Sequence, residues 1–126
     1  MTPATYDINI YQGATFTLDV TVKDSEGNAK DISGYIGSGM IKIKATDTTA
    51  LAEFDVNVHQ DDSGMVTISL SAEDTDALPT RGTYYKEKET YYYDIELHED
   101  RGDTVIRLLQ GKAYVYPSIT KTVVTP

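Results

Sequence analysis

Hydrophobic and polar residues alternate along most of this chain. In the clearest stretch, between residues 15 and 23, every second residue is apolar: Phe16, Leu18, Val20 and Val22. A period of two is that of a half-buried β-strand, whereas an amphipathic helix repeats its apolar positions every three to four residues. We therefore predict a strand here, with its apolar side facing a core.

The same alternation recurs along the chain and predicts about seven or eight short strands separated by turns. Its other apolar positions are Ile8 and Ile10; Tyr35, Ile41 and Ile43; Leu51, Phe54, Val56 and Val58; Val66, Ile68 and Leu70; and Tyr91, Tyr93, Ile95 and Leu97. Gly37 and Gly39 share the parity of Tyr35, so they either leave space for a bulky neighbour or belong to a flexible loop.

A last strand is predicted from residue 104 to residue 116. Its apolar positions change parity along the way, which predicts a β-bulge near Gly111. The fold class that these patterns favour is all-β, an Ig-like antiparallel β-sandwich, although the same alternation is also compatible with a small barrel.

One segment has a helical pattern. Residues 72–78 follow Ser71, a good N-cap, and precede Pro79, which cannot continue a helix. We predict a short helical turn that closes one end of the sandwich, with Leu78 in the core. At 126 residues the chain has the size of one domain. We expect a single sandwich over residues 1–116 and an extended C-terminal tail over residues 117–126.

Composition and charge exclude several classes of function. The absence of cysteine removes disulfides, thiolate metal sites and cysteine nucleophiles. Neither a signal peptide nor a run of about 20 apolar residues is present, so we expect a soluble protein without membrane contact. The net charge of −9 disfavours a nucleic-acid partner, because nucleic-acid binders usually carry a basic patch.

The residues that could carry chemistry form no known motif. His59 and His98 lie at the ends of predicted strands, and nothing local brings them together around a metal. The acidic turns at residues 61–64 and 99–103 lack the ligand spacing of a calcium loop of about 12 residues. The Arg-Gly-Asp tripeptide at residues 101–103 is interpreted as a chance match. We expect no enzyme, no catalytic residue, no small-molecule substrate and no cofactor or metal.

The ten tyrosines are the least ordinary feature of the composition. They cluster at residues 83–85 and 90–93, on either side of a charged segment that we predict to be the tip of a hairpin. Tyrosine is enriched at protein interfaces, but it also simply favours strands, and both explanations stay open. The candidate interface residues, in this hairpin and in the tail, are Tyr84, Tyr85, Tyr92, Ile119, Val123 and Val124.

Several short segments occur in an order that is similar to a known family. They are residues 12–16 (Gln-Gly-Ala-Thr-Phe), 31–35 (Asp-Ile-Ser-Gly-Tyr), 70–74 (Leu-Ser-Ala-Glu-Asp), 78–79 (Leu-Pro), 93–97 (Tyr-Asp-Ile-Glu-Leu) and 109–115 (Leu-Gln-Gly-Lys-Ala-Tyr-Val). With these segments the chain resembles the small β-sandwich domains of tailed-bacteriophage virion proteins, including the N-terminal domain of baseplate upper and tail-fibre attachment proteins.

This resemblance implies a structural part of a virion, synthesised in the bacterial host cytoplasm. The partners that it implies are other phage structural proteins, in an oligomeric arrangement within the particle. We therefore expect a tail, neck, baseplate or fibre-adaptor component that acts through protein–protein contacts. The alternatives are a capsid decoration protein on the phage head and a carbohydrate-binding or adhesion module.

Overall fold

The computed structural model describes residues 3–80 and 87–119 of the chain. Those residues contain nine strands and one helix: β1 Ala4–Thr5, β2 Ile8–Tyr11, β3 Phe16–Thr21, β4 Tyr35–Lys42, β5 Ala52–Glu53, β6 Asp55–Val58, β7 Met65–Leu70, α1 Ala72–Asp76, β8 Glu89–Glu99 and β9 Val105–Tyr116. None of the described helical structure is long and apolar enough to cross a membrane.

The strands form two sheets that pack face to face. The larger sheet has the order β1-β9-β8-β4-β5, with β2 also beside β9, and the smaller has the order β3-β7-β6. Neighbours are antiparallel except that β1 and β2 run parallel to β9. The triplets β9-β8-β4 and β3-β7-β6 are those at the centre of an Ig-like sandwich. The predicted all-β sandwich is confirmed.

The core lies between the sheets and consists largely of side chains that the alternation placed inward, together with Ile32, which no predicted strand contained, while Ile43 is 51% exposed although it shares the parity of Ile41. Its largest fully buried members are Ile10, Ile32, Ile41, Ile68, Leu70, Leu78, Ile95 and Leu97. The apolar residues of β3, by contrast, are only partly buried. Among the described strands β3 pairs with β7 alone, so it lies at a sheet edge where one side of each residue stays open.

Two sequence predictions are corrected by the pairing. Residues 51–58 do not form one strand: β5 pairs with β4 in the larger sheet, while β6 pairs with β7 in the smaller one. Buried Phe54 lies at the crossing between the sheets, where its N–H donates to the carbonyl of Gly39 (2.9 Å).

The β-bulge of β9 is at Leu108 and not near Gly111. Ile95 pairs with Leu109 and Glu96 with Arg107, so Leu108 is the extra residue, and Gly111 is in regular register opposite Tyr93. Gly111 has a different role. A Cβ at this position would press into the carbonyl oxygen of Tyr6, so the missing side chain lets the N-terminal segment pass.

The helix α1 is anchored to the strands by one buried hydroxyl. Ser71 caps α1 as predicted, accepting a bond from the Asp74 N–H (3.1 Å), although the helix ends earlier than residue 78. Thr75 is fully buried. Its Oγ1 accepts from the Gly13 N–H (3.1 Å) and donates to the Ala14 carbonyl (2.9 Å), in the corner between β2 and β3.

Replacing Thr75 with valine should destabilise this corner. The isosteric change removes the hydroxyl from the Gly13 N–H and the Ala14 carbonyl, which should lower the free energy of unfolding by about 0.5–1.5 kcal/mol for each hydrogen bond lost. Urea denaturation followed by circular dichroism measures the loss. Thr75→Ser keeps the hydroxyl and is the matched control. A valine variant as stable as the serine variant would show that the hydroxyl does not hold the corner.

Candidate protein-binding site

The outward side chains of the three central strands of the larger sheet lie in rows, because β4, β8 and β9 pair in register. The rows are Lys42, Tyr92 and Lys112; Met40, Asp94 and Gln110; Ser38, Glu96 and Arg107; and Ile36, His98 and Val105. Successive rows are two residues apart on β4 and β8, about 6.7 Å at the usual rise of an extended chain, while on β9 the bulge at Leu108 makes Gln110 and Arg107 three residues apart.

A groove of about 570 Å³ lies over the first two rows and reaches Arg107 in the third. Thr5 and Asp7 bound it on the side of β9, and Ala45, which follows β4, bounds it on the other side. The floor is therefore a rigid sheet, while the walls come from the end of the edge strand β1 with the residues after it and from the segment after β4. We name this feature the β4-β8-β9 groove.

The N-terminal wall is fixed in place where the chain passes from β1 to β2. The Tyr6 N–H donates to the Gln110 carbonyl (2.9 Å), and Asp7 Oδ1 accepts from the Lys112 N–H (2.9 Å). The hydroxyl of buried Tyr93 donates to the Tyr6 carbonyl. Burial, with smaller contributions from Asp7 and Tyr6, raises the pKa of Tyr93, so its hydroxyl stays protonated and able to donate.

The charges in the groove are unevenly distributed. Arg107 lies between two carboxylates, with its Nε 3.7 Å from Asp94 Oδ2 and an Nη 3.5 Å from Glu96 Oε1. Burial raises the pKa of Asp94, and the negative charge of Glu96 raises it further. The positive charges of Arg107 and Lys42 act in the opposite direction and lower it. The positive charge of Arg107 in the third row is thus balanced by neighbouring carboxylates. The first row, in contrast, has a lysine on each side of Tyr92.

Large apolar side chains are exposed on the same face. Met40 and Tyr92 in the groove are 38% and 45% exposed, and Ile36 and Val105 beyond it are 45% and 60% exposed. Exposed apolar area surrounded by polar and charged side chains is typical of protein interfaces. The face can therefore bury apolar surface against a partner while its polar rows set the orientation.

The candidate interface residues of the sequence analysis fall in different places. Tyr92 lies on the floor of the β4-β8-β9 groove, on the exposed side that the alternation predicted. Ile119 lies beyond the end of β9 and is 79% exposed. Four candidates, namely Tyr84, Tyr85, Val123 and Val124, lie outside the described residues.

The predicted hairpin tip is partly wrong. Glu89 is the first residue of β8 and pairs with Val115, so the charged segment does not extend that far. The Lys88 ammonium lies 4.1 Å from the centre of the Tyr114 ring, a cation–π contact beside the start of the strand. The hydroxyl of Tyr91 donates to the Pro79 carbonyl (2.6 Å), in the manner of the tyrosine corner of Ig-like domains.

Sequence reasoning missed most of the groove. Met40, Lys42, Arg107, Gln110 and Lys112 line it together with Tyr92. Each of them follows the outward parity of its own strand. That signal shows which residues point outward, but not which of them lie side by side on neighbouring strands.

His59 and the acidic turn at Asp61 have local partners. His59 Nε2 is 3.1 Å from Thr67 Oγ1, while His98 lies on the outer face of the larger sheet. The Asp61 carboxylate accepts from the backbone and hydroxyl of Ser63, and these bonds lower the pKa of Asp61. Within residues 3–80 and 87–119, no three histidine, aspartate or glutamate side chains are grouped so that they could hold a metal ion.

Comparisons with known proteins add little to this description. No family model and no curated protein matches the chain. Among solved structures, a family 123 glycoside hydrolase from Clostridium perfringens, studied for glycolipid glycan hydrolysis, aligns with 91% of this chain and 23% of its own. The identity is 10% and the TM-score 0.36, a likeness too distant to bear on function.

Proposed function

We propose that this protein is a structural component of a tailed-phage virion and that it acts through protein–protein contacts made by the outer face of the larger sheet. The order of short sequence segments supports the virion assignment. The exposed apolar residues of that face, with Tyr92 at the centre of a row, support the mode of action.

The outer face suits this role because it is both rigid and partly apolar. Each of the central strands β8 and β9 is hydrogen-bonded on both sides, so little backbone freedom is lost when a partner binds. Removing exposed apolar area from water contributes about 25 cal/mol per Å². Tyrosine adds a large contact area with few rotamers to immobilise.

A test is to measure incorporation into purified particles. The double variant Met40→Ala/Tyr92→Ala removes apolar contact area and should lower the amount of this protein per particle at least roughly tenfold, by the loss of anchor residues. Quantitative mass spectrometry against the major capsid protein measures the amount. The matched control is Asp55→Ala/Asn57→Ala, at exposed positions of β6 in the smaller sheet.

The same experiment separates the alternatives. Equal incorporation of both double variants would contradict the role proposed for the face, and absence of the wild-type protein from particles would contradict the virion assignment. A copy number close to that of the major capsid protein would indicate head decoration instead of a tail, neck or baseplate part. Deleting residues 120–126 tests separately whether the tail provides contacts, as its β-branched composition suggests.

A further inference from the structure

We propose that the β4-β8-β9 groove binds an extended acidic segment of a neighbouring protein. A carboxylate of this segment lies between Lys42 and Lys112, and an apolar side chain of the segment packs on Met40. The inference rests on the proposed function for the identity of the neighbour as a virion protein. The recognition chemistry follows from the groove itself.

The charge of the groove is opposite to that of the chain. The chain has a net charge of −9, yet this groove is lined by three cations (Lys42, Lys112 and Arg107) and two carboxylates (Asp7 and Asp94), a balance of +1. Arg107 already lies between two carboxylates, and the Asp7 carboxylate accepts from the Lys112 backbone N–H. A hydrogen bond from a backbone N–H does not cancel the charge of the Asp7 carboxylate, so the two lysines of the first row exceed it by one positive charge, which favours a negatively charged ligand.

The spacing of the two lysines fits a single carboxylate. They lie on β4 and β9, one on each side of Tyr92, and two strand spacings correspond to about 10 Å between their backbones. Both side chains are long enough to reach a point above the Tyr92 ring. Without a ligand, two like charges share this row. A carboxylate between them replaces that repulsion with charge-assisted hydrogen bonds.

The spacing of the rows fits an extended peptide. Side chains two residues apart on an extended chain point the same way and lie about 6.7 Å apart, which is also the distance between rows of the sheet. An acidic residue over Tyr92 therefore places the residue two positions away over the second row, above Asp94 and one strand spacing, about 4.8 Å, from Met40, which is 38% exposed. The expected pattern is an acidic residue and an apolar residue separated by one position.

An acidic segment fits the groove better than a nucleic acid does. Charges more than about 8 Å apart are largely screened at physiological ionic strength, so the two lysines act only on the group directly above them. A polyanion would extend past the groove over the rest of a chain whose net charge is −9. A short segment places one carboxylate where the positive charge is and avoids the remaining surface.

The test is an NMR titration of the full chain, labelled with ¹⁵N. The probe is a blocked five-residue peptide in which a glutamate and a leucine are separated by one serine. Its addition should produce saturable shifts of the Lys42, Tyr92 and Lys112 amides. Replacing the glutamate of the probe with glutamine should weaken binding roughly tenfold, as should the protein variant Lys42→Gln/Lys112→Gln. Lys23→Gln/Lys30→Gln is the control for general loss of positive charge and should bind as the wild type does.

Several outcomes would overturn the inference: no saturable shift, equal binding of the glutamine peptide, or full binding by the Lys42→Gln/Lys112→Gln variant. Tighter binding of free glucuronic acid than of the peptide would show that the ligand is an acidic sugar. If the peptide fails to bind while Met40→Ala/Tyr92→Ala still lowers incorporation into particles, the proposed function stands and only the acidic ligand is wrong. If the peptide binds but the protein is absent from particles, the acidic ligand stands and the proposed virion function is wrong.

Discussion

Replacing Gly37 with alanine is expected to lower the free energy of unfolding by about 3 kcal/mol, the upper part of the usual range for an overfilled core. Gly37 faces inward from β4, where a Cβ would press into Val56 Cγ1 and lie 2.8 Å from Val56 Cβ. Val56 belongs to β6 in the opposite sheet, so relief requires the two sheets to separate. Alanine normally stabilises a strand relative to glycine, but here the clash outweighs that gain in stability. Urea denaturation measures the change.

Two further variants control this prediction. Ser38→Ala changes the exposed next residue of the same strand and should alter stability by no more than about 0.5 kcal/mol. In a Val56→Gly background the effect of Gly37→Ala should be much smaller, because the clashing side chain is gone. If Gly37→Ala has the same effect in both backgrounds, contact with Val56 is not the cause.

This glycine shows how far the sequence could predict the fold. Alternation placed Gly37 and Gly39 on the inward side of a strand but did not exclude a flexible loop, because glycine has no side chain that would reveal its orientation. The structure confirms the strand and identifies the bulky neighbours. They are Val56 for Gly37 and, for Gly39, Ile95 and Phe54. These neighbours are distant in sequence, so no local pattern could name them.

The same limit explains the corrected strand predictions. Burial on one side of a strand appears in its own sequence, and the inward faces of β7 and β8 were predicted from it. Pairing depends on residues far away. The parallel alignment of β1 and β2 with β9, the transfer of the chain between sheets at Phe54 and the bulge at Leu108 all arise from such long-range register.

The candidate site was predictable only in part, for a related reason. The outward parity of Tyr92 indicated its exposure. Its lysine neighbours became visible only with the register of three strands, because Lys42 and Lys112 flank Tyr92 across β4, β8 and β9 while being 50 and 20 residues away along the chain. A sequence without pairing information shows which residues are exposed and leaves open which of them act together.

Replacing Ile95 with alanine should give the largest loss of stability, about 2–5 kcal/mol. Ile95 is fully buried in the central strand β8, between Gly39 on one neighbouring strand and Leu109 on the other. Because Gly39 has no side chain, that position contributes nothing to fill the space that is opened. A domain of this size has a total stability of about 5–15 kcal/mol, so the variant should melt at a markedly lower temperature.

A graded series makes this prediction specific to packing. Ile95→Val removes one methylene group and should lower the free energy of unfolding by about 0.5–1.5 kcal/mol. Glu96→Ala alters the next residue, which points outward and forms a partly exposed ion pair with Arg107, so its loss should stay within about 1 kcal/mol. Denaturant midpoints should therefore fall least for Glu96→Ala and Ile95→Val and most for Ile95→Ala. If Ile95→Ala were no less stable than Glu96→Ala, the core of the sandwich would not be centred on β8, because only a side chain enclosed by both sheets leaves an unfilled cavity when it is removed.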